Sequence, residues 1–329
     1  MSFKAEVLGG YPRSNSLRKA LRRLEEKGEE STINVSRLLR ETTLIIVGVQ
    51  IGAGLDTIVD GFLDWHDLLR PFASAWRGVY LDGLLRWFDN NFFYRVPVFV
   101  ELPDAEKFVV APRMLSIRGA VPENYRLKAV VPGPYTFLKL SRNKTGHSDL
   151  DLMEAIATII GREARAAYSA GAEAIQVEEP FMGDVDADPV EVEQAVEVIN
   201  EKVLAGLGAE TRIAVQYNPP SPGVYEKILE VKTDYIVIDF ADSPKRALNL
   251  IREKGCGGRG IGVGAIQARD LVEDRYENVK SLLNEAFKCS DRVLLTSSAW
   301  FDLLPFGYAL EKTRNLGFIA QRYREEKSL

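Results

Sequence analysis

The run RIAVQYN, residues 212–218, stays apolar until it ends on Gln216 and Asn218, two neutral amides with Tyr217 between them. Other β-branched runs also finish on groups that can do chemistry. IQVEE carries Gln176, Glu178 and Glu179, YIVID ends on Asp239, TIVD ends on Asp60, and VLLTSSAW ends on Ser298 and Trp300. Near the start, GYPR supplies Tyr11 and Arg13 with Arg18 just beyond, and GPYTF supplies Thr136. Carboxylates, amides and hydroxyls of this kind hold polar ligands and move protons, and the arginines suit anions. Glu178, Asp239 and Gln216 are the candidates for a catalytic role. His66 and His147 are the only histidines, Cys256 and Cys289 the only cysteines, and no CxxC, HxC or HExxH occurs. Zinc selects thiolate and imidazole, so no metal site and no bound cofactor are expected.

Each candidate has a structural reading beside the functional one. Glu178 and Glu179 are neighbours on a strand, so their side chains point to opposite faces and only one can face a shared site; the other reading is a helix cap or ion pair. Asp60 can bind a ligand, while Asp64 can cap an aromatic helix after it. Arg13 and Arg18 can bind an anion or belong to a solvated face balanced by EEKGEE. The Pro/Gly turn VPGPYTFLKL opens a helix whose free N–H groups can hold an anion or serve only the turn. His66, beside Trp65, reads as packing, and Cys256 as a loop thiol with no base beside it. Trp76, Trp87, Phe88, Phe92 and Phe93 read as core, or as a stacking wall for a flat heterocycle.

These residues need elements to place them. Eight short runs near 6–12, 56–61, 126–134, 173–180, 212–218, 234–240, 260–266 and 292–299 read as strands, mostly apolar on both faces, as parallel strands covered by helices are. Between several of them lie stretches with helical periodicity that end on glycine. Eight strands alternating with helices predict an α/β fold, a (β/α)8 TIM barrel, in which the C-terminal strand ends carry the chemistry. Residues 1–329 read as one domain, with a charged helical addition at 13–40 and an elaborated aromatic insertion at 65–125 near the barrel mouth. A net charge of −5 argues against a nucleic-acid partner. No apolar run is long enough to suggest a membrane span or signal peptide, so a cytoplasmic location is expected. Two cysteines give no disulfide framework and fit a reducing compartment.

Several segments, in order, resemble the cobalamin-independent methionine synthase family: GGYPRSNSLRKAL, LDTIVDGFLDWHDLLRPF, VVPGPYTFLKLSR, AGAEAIQVEEPFM and LPFGYALEKTRNLGFIAQ. Larger members have two barrels, and GYPR and GPYTFLKLS resemble the N-terminal one more closely; single-barrel archaeal relatives also exist. The resemblance implies a folate or pterin methyl donor and homocysteine as acceptor. It also exposes departures. The family's His-x-Cys falls on Gln216 and Asn218, its glutamate ligand on Asp239, and its last cysteine near Ala299. Phe62 stands where a glutamate would hold the amino acid, Gly10 replaces a serine, and Glu178 replaces an aspartate. A carboxamide is a poor zinc ligand, and without zinc a thiol stays mostly protonated.

The expected function is therefore a methionine-synthase-like protein of methionine biosynthesis. In this reading it is a zinc-less subunit that binds the small-molecule methyl donor and works with a protein partner carrying the zinc-bearing barrel. Tyr11, Arg13, Arg18, Asp60, Thr136, Gln176, Glu178, Glu179, Gln216, Asn218, Asp239, Ser298 and Trp300 are its candidate binding residues. The alternatives are a methyltransferase acting on homocysteine with a non-standard site, and an enzyme like uroporphyrinogen decarboxylase.

Overall fold

The computed structural model describes residues 1–27 and 32–328. Its strands are β1 (Ser2–Ala5), β2 (Thr57–Ile58), β3 (Trp76–Arg86), β4 (Phe93–Ala105), β5 (Arg126–Pro132), β6 (Arg142–Asn143), β7 (Ala174–Glu178), β8 (Glu210–Val215), β9 (Tyr235–Asp239), β10 (Gly260–Ile266) and β11 (Arg292–Ser297). Eight of them form one parallel sheet in the order β1-β11-β10-β9-β8-β7-β5-β2. A parallel bridge from Glu6 to Thr57 brings the two edges together, so the sheet is a nearly closed barrel. The helices are α1 (Asn15–Lys27), α2 (Thr32–Gly52), α3 (Arg70–Ala73), α4 (Ala111–Arg118), α5 (Pro134–Lys139), α6 (Asp149–Ser169), α7 (Pro189–Val198), α8 (Pro222–Ile228), α9 (Pro244–Lys254), α10 (Tyr276–Cys289) and α11 (Phe306–Lys327). Helices follow the strands and cover the outside of the barrel, which is why β8, β9 and β10 are buried on both faces.

Several boundaries differ from the sequence reading. The first strand ends at Ala5 rather than running to Pro12, and beyond it Gly9 and Gly10 lie against the indole of Trp300: a Cβ on either would fall 2.1–2.5 Å from that ring. The addition expected at 13–40 is the pair α1 and α2, the second running on to Gly52; residues 28–31 of it lie outside the described residues. No aromatic helix follows Asp64. The insertion instead holds the short α3 and a long antiparallel hairpin, β3 with β4. The β-branched and aromatic residues of VYLDGLLR and YRVPVFVEL suit that hairpin.

Inside the barrel, the charged groups are stacked along the axis. Lys128 donates to Glu6 Oε1 at 2.6 Å, to the Val7 carbonyl at 2.8 Å and to Gln176 Oε1 at 2.9 Å. Arg212 donates to Glu6 Oε2 and to Glu210 Oε1, each at 2.9 Å. Glu6, Lys128 and Arg212 have no solvent exposure. Burial works to raise the pKa of Glu6, but Arg212 and Lys128 outweigh it and hold the carboxyl below its usual value. Burial pulls Lys128 down to about 8 against the attraction of Glu6. Lys128→Met leaves a buried carboxylate with half its compensation and is expected to cost about 3–5 kcal/mol in urea unfolding, with Glu6→Gln/Lys128→Met recovering part of the loss.

The cysteines correct the expectation of no disulfide. Cys256, after α9, and Cys289, at the end of α10, are bonded, with Cα atoms 5.9 Å apart across 33 residues of sequence. Spacing alone could not show this, because adjacency comes from packing α9 and α10 side by side. Closing a loop of that size is expected to add about 3–4 kcal/mol. Cys256→Ser or full reduction should lower the urea midpoint by a corresponding amount, and equal midpoints with and without reductant would show that the link adds nothing.

Candidate functional site

The C-terminal ends of the strands converge on Glu178, the last residue of β7. Its Oε1 accepts from Gln176 at 2.5 Å and from the Trp300 indole at 3.1 Å, and its Oε2 accepts from Gln216 at 2.8 Å. Gln176 also takes the Lys128 ammonium, so the charge column inside the barrel ends at Glu178. Burial raises the Glu178 pKa to about 7, although Trp300, Gln176 and Lys128 all work to lower it. The amide oxygen of Gln216 is buried with no partner. A half-turn of that amide would present it as an acceptor to a protonated Glu178, so an amide at 216 suits both states of the carboxyl.

The pair of glutamates divides as strand geometry requires. Glu178 faces the barrel, and Glu179 faces outward, accepting the backbone N–H groups of Tyr135 at 3.0 Å and Thr136 at 2.7 Å. The protein thus supplies its own anion to the turn that opens α5. Gly133 is needed there, since a Cβ would lie 2.0 Å from the Glu179 carboxyl. Glu179 and Thr136 are structural, the Thr136 hydroxyl accepting from the Phe181 N–H at 3.1 Å.

Other candidates sort the same way. Asp60 pairs with Arg113 at 2.5 Å, and Arg113 also pairs with Asp64. Asp64 is therefore no cap; it is Asp67 that accepts the N–H groups of Leu69 and Arg70 just before and at the start of α3. Ser298 accepts from the Ala268 N–H and fastens a loop. Asn218 is half-buried beyond the strand end and makes no side-chain hydrogen bond among the described residues. Asp239 accepts from Ala241 and Asp242 with one oxygen, the other being buried without a partner, and burial lifts its pKa to about 7.

Rings fill the mouth above Glu178. Phe62 stacks on Trp300 with centroids 5.2 Å apart and on Trp65 at 4.7 Å. Phe62 and Tyr217 hold left-handed backbone, φ 51° and 76°, which is rare for aromatic residues. Only about 10 Å³ remains between Gln216, Tyr217, Trp87, Trp300 and Asp302. Beside this plug lies a cleft of about 940 Å³ between α1, the hairpin tip and the Phe301–Leu303 turn. Tyr11, Arg13, Arg18, Trp65 and Trp300 line it, with Arg70, Arg95, Phe92, Phe93 and Asp302. Arg13 is oriented by the carbonyls of Leu63 and Trp65 at 2.7 and 2.9 Å, while Arg18 is exposed and reaches only Asn15. Tyr11 is buried, its hydroxyl 2.7 Å from that of Thr313. His66 bridges to Glu25 at 2.9 Å across the rim, a role that packing alone did not suggest.

Asp302, Arg113, Arg70 and Arg95 escaped the sequence reading. Burial raises the pKa of Asp302 to about 7, and its carboxyl lines the cleft. Its signal was its place two residues beyond Trp300. The arginines come from the insertion, whose register could not be read.

The positions that the resemblance sets against zinc ligands hold two amides, Gln216 and Asn218, and one carboxylate, Asp239, a donor set that zinc does not favour, and Gln216 is engaged with Glu178. Among the described residues no group of three or more His, Cys, Asp or Glu is disposed to hold a metal ion.

Glu178 should leave a pH signature. Its folded pKa lies above that of an unfolded glutamate (about 4.3), so the folded chain keeps a proton that the unfolded chain releases. Stability then falls as pH rises from about 4.3 through about 7, by something on the order of 2–3 kcal/mol from this group. Glu178→Gln should flatten that part of a stability–pH curve, and an unchanged slope would mean that Glu178 is ionised throughout.

The family model described as "Cobalamin-independent synthase, Catalytic domain" matches residues 3–298. A protein named methionine synthase from Sulfurisphaera tokodaii is 27% identical over 324 residues, covering 97% of this chain and 92% of that protein. One of the same name from Sulfolobus acidocaldarius is 25% identical over 314 residues, covering 94% and 89%. In fold, a B12-independent methionine synthase from Shewanella sp. W3-18-1, solved in complex with selenomethionine, superposes with a TM-score of 0.81 at 19% identity, covering 99% of this chain and 98% of that one. A putative vitamin-B12 independent methionine synthase from Listeria monocytogenes superposes at 0.78 with 18% identity, covering 98% of each.

Proposed function

The chain belongs to the cobalamin-independent methionine synthase family, and from that premise we propose that it is a zinc-less member that binds a folate or pterin methyl donor and works with a separate barrel that carries the zinc. The observation that carries this reading is the filled mouth. Phe62 and Trp300 occupy the space over Glu178, Gly9 and Gly10 make room for the indole, and Gln216 replaces a thiol-activating ligand with a partner for the carboxyl. A thiol substrate there would keep a pKa near 8.5 and remain a weak nucleophile at neutral pH. The adjoining cleft suits a flat heterocycle instead. Trp65, Trp300 and Phe92 line it with aromatic surface, Asp302 adds a carboxyl whose pKa burial raises, and Arg13 and Arg18 offer cations for anionic groups. No helix among the described residues is long and apolar enough to cross a membrane.

A second reading, that the chain itself moves the methyl group to homocysteine, has one observation in its favour: the family model matched is that of the catalytic domain. One set of measurements separates the two. Under the first, 5-methyltetrahydrofolate quenches tryptophan fluorescence saturably, Trp300→Ala weakens binding about tenfold, purified protein holds far less than one zinc per chain, and methionine forms only when a zinc-bearing barrel is added. Stoichiometric zinc together with methionine formation by this chain alone would overturn the first reading in favour of the second.

A further inference from the structure

The barrel sheet nearly closes on itself, but the hairpin of the insertion keeps an open edge. β3 is the outermost strand of the three-stranded sheet, whose order is β3-β4-β6. Among the described residues no backbone hydrogen bond leaves Arg77–Arg86 on the side away from β4. Asp82 to Arg86 are all exposed, Leu84 at 60% and Leu85 at 47%. Folded chains usually blunt such an edge with lysine, proline, bulges or a covering element. WRGVYLDGLLR contains no lysine and no proline. Two bulges, at Gly78 and at Asp82–Gly83, interrupt it, but Leu84–Arg86 then pair regularly with Phe93–Arg95. Asp82 and Gly83 have no partner on β4 either, and a Cβ on Gly83 would meet nothing within 4 Å.

An open edge is completed by another strand, and the side chains select which one. Laid antiparallel against itself about a two-fold axis at Leu84, the stretch Asp82–Arg86 sets Asp82 opposite the second copy's Arg86, Gly83 opposite its Leu85, and Leu84 opposite its Leu84. The two-fold repeats each contact, so two ion pairs flank one apolar contact, and the open space at Gly83 admits Leu85. A slip of one residue destroys the match, since Asp82 then falls opposite Leu85 or Trp87. Both charged groups keep atoms free for the contact. Asp82 accepts from Arg142 through Oδ2 at 2.8 Å, and Arg86 donates through Nε and Nη2 to the carbonyls of Asn90 and Asp89, each at 2.8 Å. Asp82 Oδ1 and Arg86 Nη1 have no partner among the described residues.

We propose that β3 is a dimerisation edge: two copies of this chain join through antiparallel Asp82–Arg86 segments into one continuous sheet. The two-fold of an antiparallel pair stands perpendicular to the sheet, so both copies show the same face on the same side. Leu84 and Phe93 line the cleft. The two clefts therefore open side by side, with the paired Leu84 side chains between them. This inference goes beyond the methyl-donor reading and does not depend on it.

Sedimentation velocity of the full chain, from low to high micromolar concentration, provides the test. Wild type should pass from monomer to dimer. Asp82→Arg sets arginine against arginine twice and should raise the dimer dissociation constant at least tenfold, and Leu84→Lys should do the same. Asp82→Arg/Arg86→Asp restores opposite charges across the axis and should restore association. Because Cys256 and Cys289 are bonded to each other, Leu84→Cys introduces the only free thiol among the described residues. A short bis-maleimide should link two copies through it, whereas Tyr80→Cys, whose symmetry mate lies roughly 27 Å away in this register, should stay unlinked. A monomer at every concentration would overturn the proposal. So would a dimer indifferent to Asp82→Arg and Leu84→Lys, or a dimeric sample in which Leu84→Cys stays unlinked, since each puts the contact elsewhere. Thermal unfolding shows which variants are folded, and the cysteine variants, which change no charge, decide the matter if a charge variant is not.

Discussion

The barrel is organised around a carboxylate that has no water. Glu6 sits at the axis with its two oxygens committed to Lys128 and Arg212, and the remaining donors of Lys128 pass the interaction on to Gln176 and so to Glu178. In a low-dielectric interior none of these groups can lose its partner cheaply. The strands that carry them are therefore held in register by polar requirements as well as by packing. The same column delivers a buried carboxyl to the mouth, where its protonation is set by burial on one side and by donors on the other.

What the mouth then does follows from ring packing. Trp300 needs glycine at 9 and 10, Phe62 needs an unusual backbone to lie over Trp300, and Trp87 donates to the Tyr217 hydroxyl at 3.0 Å. These residues come from five different loops, and each makes sense only with the others. Together they fill the axial opening, and the accessible space lies to the side, in the cleft bounded by α1 and the hairpin. Amides stand at 216 and 218, and aromatic rings fill the space over Glu178.

The insertion is the part of the molecule least like a plain barrel. Its hairpin supplies Phe92, Phe93 and Arg95 to the cleft, and the segment after it supplies Lys107 and Arg113 to a smaller hollow beside it. Arg113 also ties α4 back to the end of β2 through Asp60, which links the added elements to the rim of the barrel by a charged contact rather than by apolar packing alone.

The order of strands and helices, the barrel and the strand ends that meet at the mouth were all legible in the residues, because period-two and helical patterns, and the chemistry of a side chain, are local properties. The opposite facing of Glu178 and Glu179 was legible for the same reason. The sequence left undecided which polar strand ends face a ligand and which serve the fold. Glu179, Thr136 and Ser298 became caps and fasteners, Asp60 became half of an ion pair, and Cys256 found Cys289, since each partner lies far away along the chain. Arg113, Asp302 and the filling of the mouth by Phe62 and Trp300 belong to the tertiary structure alone: whether a space is open or full depends on which distant side chains arrive there, and no short stretch of sequence contains that information.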